Sequence, residues 1–160
     1  MKRLWLLCLS LVPVLVAVPQ ATAPEGFEHW TQASLRQMAQ TLGAKAAADP
    51  HHAASQQLSD FPNELFLLAH READGQPEWH ETQVDVFFVQ SGSATLVVGG
   101  ALVGAETVAP HEQRAASIQG GARQKLSAGD IVRIPAKTPH QLLLDGAHEF
   151  NYFVVKVKGY

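Results

Sequence analysis

Gly129-Asp130-Ile131-Val132-Arg133-Ile134-Pro135-Ala136-Lys137-Thr138-Pro139-His140-Gln141-Leu142-Leu143-Leu144 places two short apolar runs on either side of a proline-bounded loop. Ile131 to Ile134 has the length and branching of a strand, and Pro135, with a fixed φ and no N–H, ends it. His140 opens a second strand, in which it shares a face with Leu142 and Leu144 because side chains alternate along a strand. If those leucines face a core, the imidazole faces it too. The same texture extends outward in both directions: Leu65-Phe66-Leu67-Leu68-Ala69, Val84-Asp85-Val86-Phe87-Phe88-Val89, Ala94-Thr95-Leu96-Val97-Val98 and Tyr152-Phe153-Val154-Val155-Lys156-Val157. Turn clusters such as Asp74-Gly75, Ser91-Gly92-Ser93, Gly99-Gly100, Gly120-Gly121 and Asp145-Gly146 separate them. Many short strands at this spacing predict an all-β domain, a closed barrel or two-sheet roll, rather than an alternating α/β fold.

A second chemistry-bearing stretch lies upstream, Gly75-Gln76-Pro77-Glu78-Trp79-His80-Glu81-Thr82-Gln83-Val84-Asp85, followed six residues later by Gly92. Glu78 and His80 are two apart, so in a strand a carboxylate and an imidazole share one face. Trp79 alternates with them and faces away. Asp85 has the opposite parity and joins them only if a turn falls at Glu81-Thr82-Gln83. It would then lie with Phe87 and Val89 on one face, and a carboxylate among apolar neighbours calls for a cation or hydrogen bonds.

At these residues the sequence resembles the cupin superfamily of small double-stranded β-helix barrels. Gly129, Pro135 and His140 match the second family motif at its spacing, with Lys137 where the family has Gly and Leu143 where it has Asn. Counting back from Gly92 puts Asp85 at the Glu position of the first motif, His80 at its second His and Glu78 at its first His. The resemblance covers residues 63–160 and implies a jelly-roll-like barrel behind a helical prefix. Carried over residue by residue, its metal ligands are Glu78, His80, Asp85 and His140. Two imidazoles and two carboxylates suit a divalent metal ion, iron(II) or manganese(II) ahead of copper, with zinc admitted. Three ligands, His80, Asp85 and His140, would also serve, leaving Glu78 as the candidate catalytic base. Against a metal stands a bland reading, in which both histidines are hydrogen-bonded in a metal-free barrel and the acids are solvated or cap turns.

The resemblance implies an enzyme of the dioxygenase, lyase or isomerase type acting on a small oxygen-bearing molecule. The alternatives are a barrel that binds a sugar or small acid, with or without metal, and does no chemistry, and a structural barrel assembling through the helix and an edge strand with Trp30 and Trp79 as anchors. It also implies a homodimer. His70 and Arg71 would lie at the barrel mouth, Gln83 and Gln141 beside it, and Lys137 in a solvated loop.

Residues 1–23 read as a secretory signal: Lys2 and Arg3, an apolar run over residues 4–18, then Ala21-Thr22-Ala23. The run is short for a membrane span and Pro13 would kink it. Pro24 disfavours cleavage after Ala23, so an uncleaved tether is the alternative and the only membrane contact expected. The protein is expected to be exported, to the periplasm or beyond. Residues 24–60 form the helical prefix, with apolar positions at helical spacing and abundant Ala predicting an amphipathic helix over residues 28–48, and residues 61–160 form the barrel. His51 and His52 follow as solvated loop residues. Residues 104–122 read as a long hairpin connection with a short strand at Ser117-Ile118-Gln119.

Across the 160 residues, 12 Lys and Arg oppose 15 Asp and Glu, giving a formal charge of -3. That leaves no basic field for nucleic acid. The single Cys8 excludes an intrachain disulfide and a multi-cysteine zinc site. There is no phosphate-cradling glycine loop and no Ser or Cys nucleophile motif.

Overall fold

The structure, a computed structural model, describes residues 22–160. The signal reading therefore lies outside the described residues except for its last two positions. Among the described residues no helix is long and apolar enough to cross a membrane.

Among the described residues one helix, α1 (Gln32–Ala46), precedes twelve strands: β1 (Ala53–Asp60), β2 (Glu64–Arg71), β3 (Glu78–His80), β4 (Gln83–Val98), β5 (Ala101–Val103) and β6 (Glu106–Ala109), then β7 (Glu112–Arg114), β8 (Ser117–Gln119), β9 (Ala122–Ser127), β10 (Ile131–Ile134), β11 (His140–Leu143) and β12 (Phe150–Lys158). The main sheet runs β1-β2-β12-β4-β11-β3-β7-β6, with β9 and β10 also pairing with β4, and β5 pairs with β8. All pairings are antiparallel. The all-β class with one N-terminal helix is as the sequence predicts.

β4 curls the sheet. Its first half pairs with β12 and β10, its second half with β11 and β9. The sequence reading split this strand at Ser91-Gly92-Ser93, but the chain bends there without breaking. Gly92 adopts φ +79°, and a Cβ on it would lie 2.1 Å from the Glu149 carbonyl oxygen, so no other residue fits that crossing. Inside the curl Phe87, Val89, Leu96, Ile134, Leu142 and Phe150 form a buried core.

Three expectations need adjustment. The sheet begins at Ala53, inside the segment read as helical prefix. β1 is polar, and its eight residues are held by pairing to β2 rather than by their own apolar pattern. The helix is shorter than residues 28–48 because Thr31 caps it, its hydroxyl accepting from the Ser34 N–H at 3.1 Å. Residues 104–122 hold β6, β7 and β8, so the predicted strand at Ser117–Gln119 is present but is not alone.

The helix packs on β1 and β2. Trp30, just before it, lies against Phe66 and Phe153, with ring centroids 5.3 and 5.4 Å away. Trp30 thus anchors the prefix to its own barrel.

Candidate metal centre

Strand register assembles the site. Glu78 on β3 lies between His140 of β11 and Arg114 of β7, His80 lies opposite Glu112, and Asp85 on β4 lies opposite Lys156 of β12. The chain turns at Glu81-Thr82 between β3 and β4, which brings Asp85 to the same centre as Glu78 and His80 despite its parity. The loop ahead of β3 is clamped to β11: the Gly75 N–H donates to the Leu142 carbonyl, Gln141 Nε2 to the Gly75 carbonyl, and the Leu144 N–H to Asp74. Gln141 Nε2 is therefore engaged with backbone, while the residue lines the cavity.

The residue at the family's glycine position, Lys137, has φ +58°. This left-handed conformation is the one glycine adopts without cost. Its N–H donates to the His80 carbonyl at 2.7 Å, tying the loop to β3. Its side chain is exposed, as the sequence predicts.

Glu78, His80 and His140 each offer a ligand atom, all within 4.8 Å of one another. His80, Asp85 and His140 are each about 3% exposed. Each imidazole is oriented through Nδ1: His80 Nδ1 donates to the Glu112 carboxylate, and His140 Nδ1 to the Thr138 carbonyl at 3.0 Å. Both Nε2 atoms therefore point into the centre, and that of His140 makes no hydrogen bond. His80 Nε2 is 3.2 Å from Asp85 Oδ2 and 3.6 Å from Glu78 Oε2, and His140 Nε2 is 3.5 Å from Asp85 Oδ2. Acceptors facing one another at such distances need a proton or a cation between them.

Sequence reasoning missed one cation in the cluster. Lys156 Nζ donates to Asp85 Oδ1 at 2.8 Å and to His80 Nε2 at 3.0 Å. Its signal was present: Tyr152, Val154 and Lys156 alternate on the inward face of β12, and all three line the cavity. Two arginines were also underread. Arg114 Nη2 lies 3.3 Å from Glu78 Oε2 and Arg71 Nη2 3.5 Å from Glu78 Oε1. Burial pushes the Asp85 carboxyl up, but the His140 and His80 rings facing it and the Lys156 charge outweigh this and hold it well below the usual carboxylate range. Burial likewise raises Glu78, and Arg114, His140, Arg71 and Lys156 together bring it below its ordinary value. Glu78 is thus held ionised, which suits a ligand and weakens it as a base.

Glu78, Asp85 and His140 line a cavity of about 310 Å³, walled also by Leu67, Ala69, Phe87, Leu142 and Val154. His70 and Arg71 reach it, as expected for a barrel mouth, whereas Trp79 and Gln83 do not line it. His51 and His52 are exposed. His111 Nδ1 pairs with Glu81 at 2.7 Å on the surface.

The donor set fits a divalent ion: two neutral imidazole nitrogens with their other nitrogens already hydrogen-bonded, and one or two ionised carboxylates. Asp85 presents Oδ2 to the imidazoles and Oδ1 to Lys156, so an ion on Oδ2, both Nε2 atoms and Glu78 would leave the lysine its bond to Oδ1 and displace its bond to His80 Nε2. Bound there, a divalent metal supplies Lewis-acid polarisation of an oxygen-bearing ligand.

Comparison with solved structures agrees with this architecture. A Klebsiella pneumoniae protein with a double-stranded beta-helix domain aligns over 67% of this chain and 77% of its own, at 17% identity and TM-score 0.50. A Thermus thermophilus protein aligns over 69% and 87%, at 17% identity and TM-score 0.51. The cupin domain of a Schizosaccharomyces pombe protein aligns over 66% and 64%, at 7% identity and TM-score 0.50. No protein-family model and no curated protein matches the chain. The chain has the double-stranded β-helix fold, that of the cupins, with a buried two-histidine, carboxylate cluster inside it.

Proposed function

We propose that this is an exported barrel enzyme holding one divalent metal ion on Glu78, His80 and His140, with Asp85 as a fourth ligand, and acting on a small oxygen-bearing molecule. The observation that carries the metal is the pair of imidazoles tethered through Nδ1, with both Nε2 atoms aimed at ionised carboxylates. Iron or manganese suits the two carboxylates, and zinc is compatible. The apolar wall keeps bulk water from the centre, and Lys156 is the residue that carries a proton at its edge, on Nζ. The dioxygenase, lyase or isomerase type rests on the family resemblance alone, because the fold hosts many chemistries. Export rests on the order of basic, apolar and small residues over 1–23, with membrane contact only through an uncleaved leader. A homodimer without nucleic-acid partners completes the proposal.

A second reading, a metal-free binding barrel, is favoured by Lys156, whose ammonium already offsets Asp85. Calorimetric titration of chelator-stripped protein with manganese(II), zinc(II) and, without oxygen, iron(II) decides between them. One ion per chain, with binding lost in His140→Ala, supports the metal site. Absence of binding by all three ions selects the metal-free barrel.

A further inference from the structure

With a divalent ion on the cluster, the wall of the cavity would carry more positive charge than a neutral substrate needs. Arg71, Arg114 and Lys156 line it with Glu78 and Asp85, and Glu112 sits behind His80 and Arg114. Three cations and three carboxylates balance. A divalent ion on the cluster then leaves two positive charges uncompensated in a small, partly closed space, and an anionic ligand is the simplest completion.

Two donors stand ready for it. Arg71 is mostly buried, yet only part of its fork is in use: Nε donates to the Tyr152 hydroxyl at 3.2 Å, Nη2 is 3.5 Å from Glu78, and Nη1 makes no hydrogen bond among the described residues. The Tyr152 oxygen accepts from Arg71, which leaves its own proton to donate. The guanidinium is fixed in place by packing on Gly75, where a Cβ would lie 3.1 Å from its Cζ and Nη1. Glycine at that position gives the arginine its seat. Burial pushes the Tyr152 phenol up, so it keeps its proton.

From this geometry, and resting on the metal reading above, we infer that the site takes a small carboxylic acid, its carboxylate held by Arg71 and Tyr152 and its other oxygen-bearing end directed at the Glu78, His80, His140 cluster. A guanidinium N–H without a protein partner, Nη1, together with a phenolic hydroxyl can donate to the oxygens of a carboxylate. The apolar walls of Leu67, Phe87, Leu142 and Val154 fit a short carbon skeleton, and 310 Å³ is at the small end of ligand cavities.

The test is calorimetry of the full chain, manganese-loaded and chelator-stripped, against acetate, glycolate, pyruvate and malonate, their amides, and inorganic phosphate. At least one acid is expected to bind about tenfold or more tightly than its amide and than phosphate. Arg71→Lys, which keeps charge but loses the fork, should lose about tenfold, and Tyr152→Phe several-fold. Should Arg71→Lys fail to fold, Tyr152→Phe decides, since it removes one oxygen only. No acid exceeding its amide, phosphate binding equally well, or wild-type affinity in the folded variants would overturn the inference. Metal binding without acid preference removes this inference alone. Acid preference in a protein that takes up no metal removes the metal reading and leaves the carboxylate site standing.

Discussion

Replacing Lys156 by methionine separates the charge in the cluster from the packing around it. The methionine keeps the aliphatic stem against the wall of the cavity, while the ammonium, 2.8 Å from Asp85 Oδ1 and 3.0 Å from His80 Nε2, is lost. Asp85 is 3% exposed and cannot turn to water. Removing one partner of a buried pair costs about 3–5 kcal/mol. Because the imidazoles still face Oδ2, the low end, about 3 kcal/mol, is expected in metal-free protein. For a domain of this size that lowers Tm by roughly 6–12 °C. A divalent ion that binds only the folded state stabilises either protein, by about 2.7 kcal/mol at about 100 times Kd. In the variant it also replaces the missing charge and meets a freed His80 Nε2, so it binds there more tightly and stabilises more than in wild type. Thermal unfolding followed by circular dichroism, in chelator and in excess manganese(II), reads both values. The variant should lie well below wild type in chelator, and metal should raise its Tm by more than that of wild type, narrowing the gap. Equal Tm values in chelator, or a gap that metal leaves unchanged, would refute the account of Lys156 as the cation standing in for the ion.

Three further outcomes follow from the geometry. Lys137→Gly should raise stability by about 0.5–1 kcal/mol in urea titration, because φ +58° costs a lysine and not a glycine; a loss of stability would contradict it. Gly92→Ala should cost several kcal/mol or prevent folding, judged by soluble yield and far-UV spectra, since its Cβ would collide with the Glu149 carbonyl; a variant of wild-type stability would show the crossing to be looser than described. Asp85 and Glu78 have carboxyl pKa values depressed in the folded state, so their contribution is fully present above the unfolded values near 4 and is lost as pH falls toward the folded ones. Metal-free wild type should therefore lose stability steeply below about pH 4, and Asp85→Asn should flatten that slope; an unchanged slope would exclude Asp85 as its source.

The sequence announced the parts of the fold that stand on local chemistry. Pro135 ends β10, His140 opens β11, and Gly92 marks the crossing that only glycine permits. β1 escaped because a polar edge strand takes its conformation from its neighbour: Gln56 and Gln57 face Leu68 and Leu67 of β2, and nothing in their own pattern says so. The strand break placed at Gly92 failed for a related reason, since the ladder with β12 runs up to Gly92 and the ladder with β9 takes over at Ser93, so pairing continues through the bend. Of the site, Glu78, His80, Asp85 and His140 were legible, and the turn that reconciles Asp85 with the others falls where parity required it. Arg114 and Glu112 were not, because β7 meets β3 only through long-range register. Lys156 was readable in principle, as a lysine on the inward face of an apolar strand needs a carboxylate opposite it.

The most direct test of the central claim is elemental analysis of the purified protein, wild type beside His140→Ala and Glu78→Gln, with metal per chain as the readout. The account predicts close to one transition-metal ion per wild-type chain, none in His140→Ala and a reduced content in Glu78→Gln. Full metal content in His140→Ala, or none in wild type even after reconstitution with manganese(II), iron(II) and zinc(II), would contradict it.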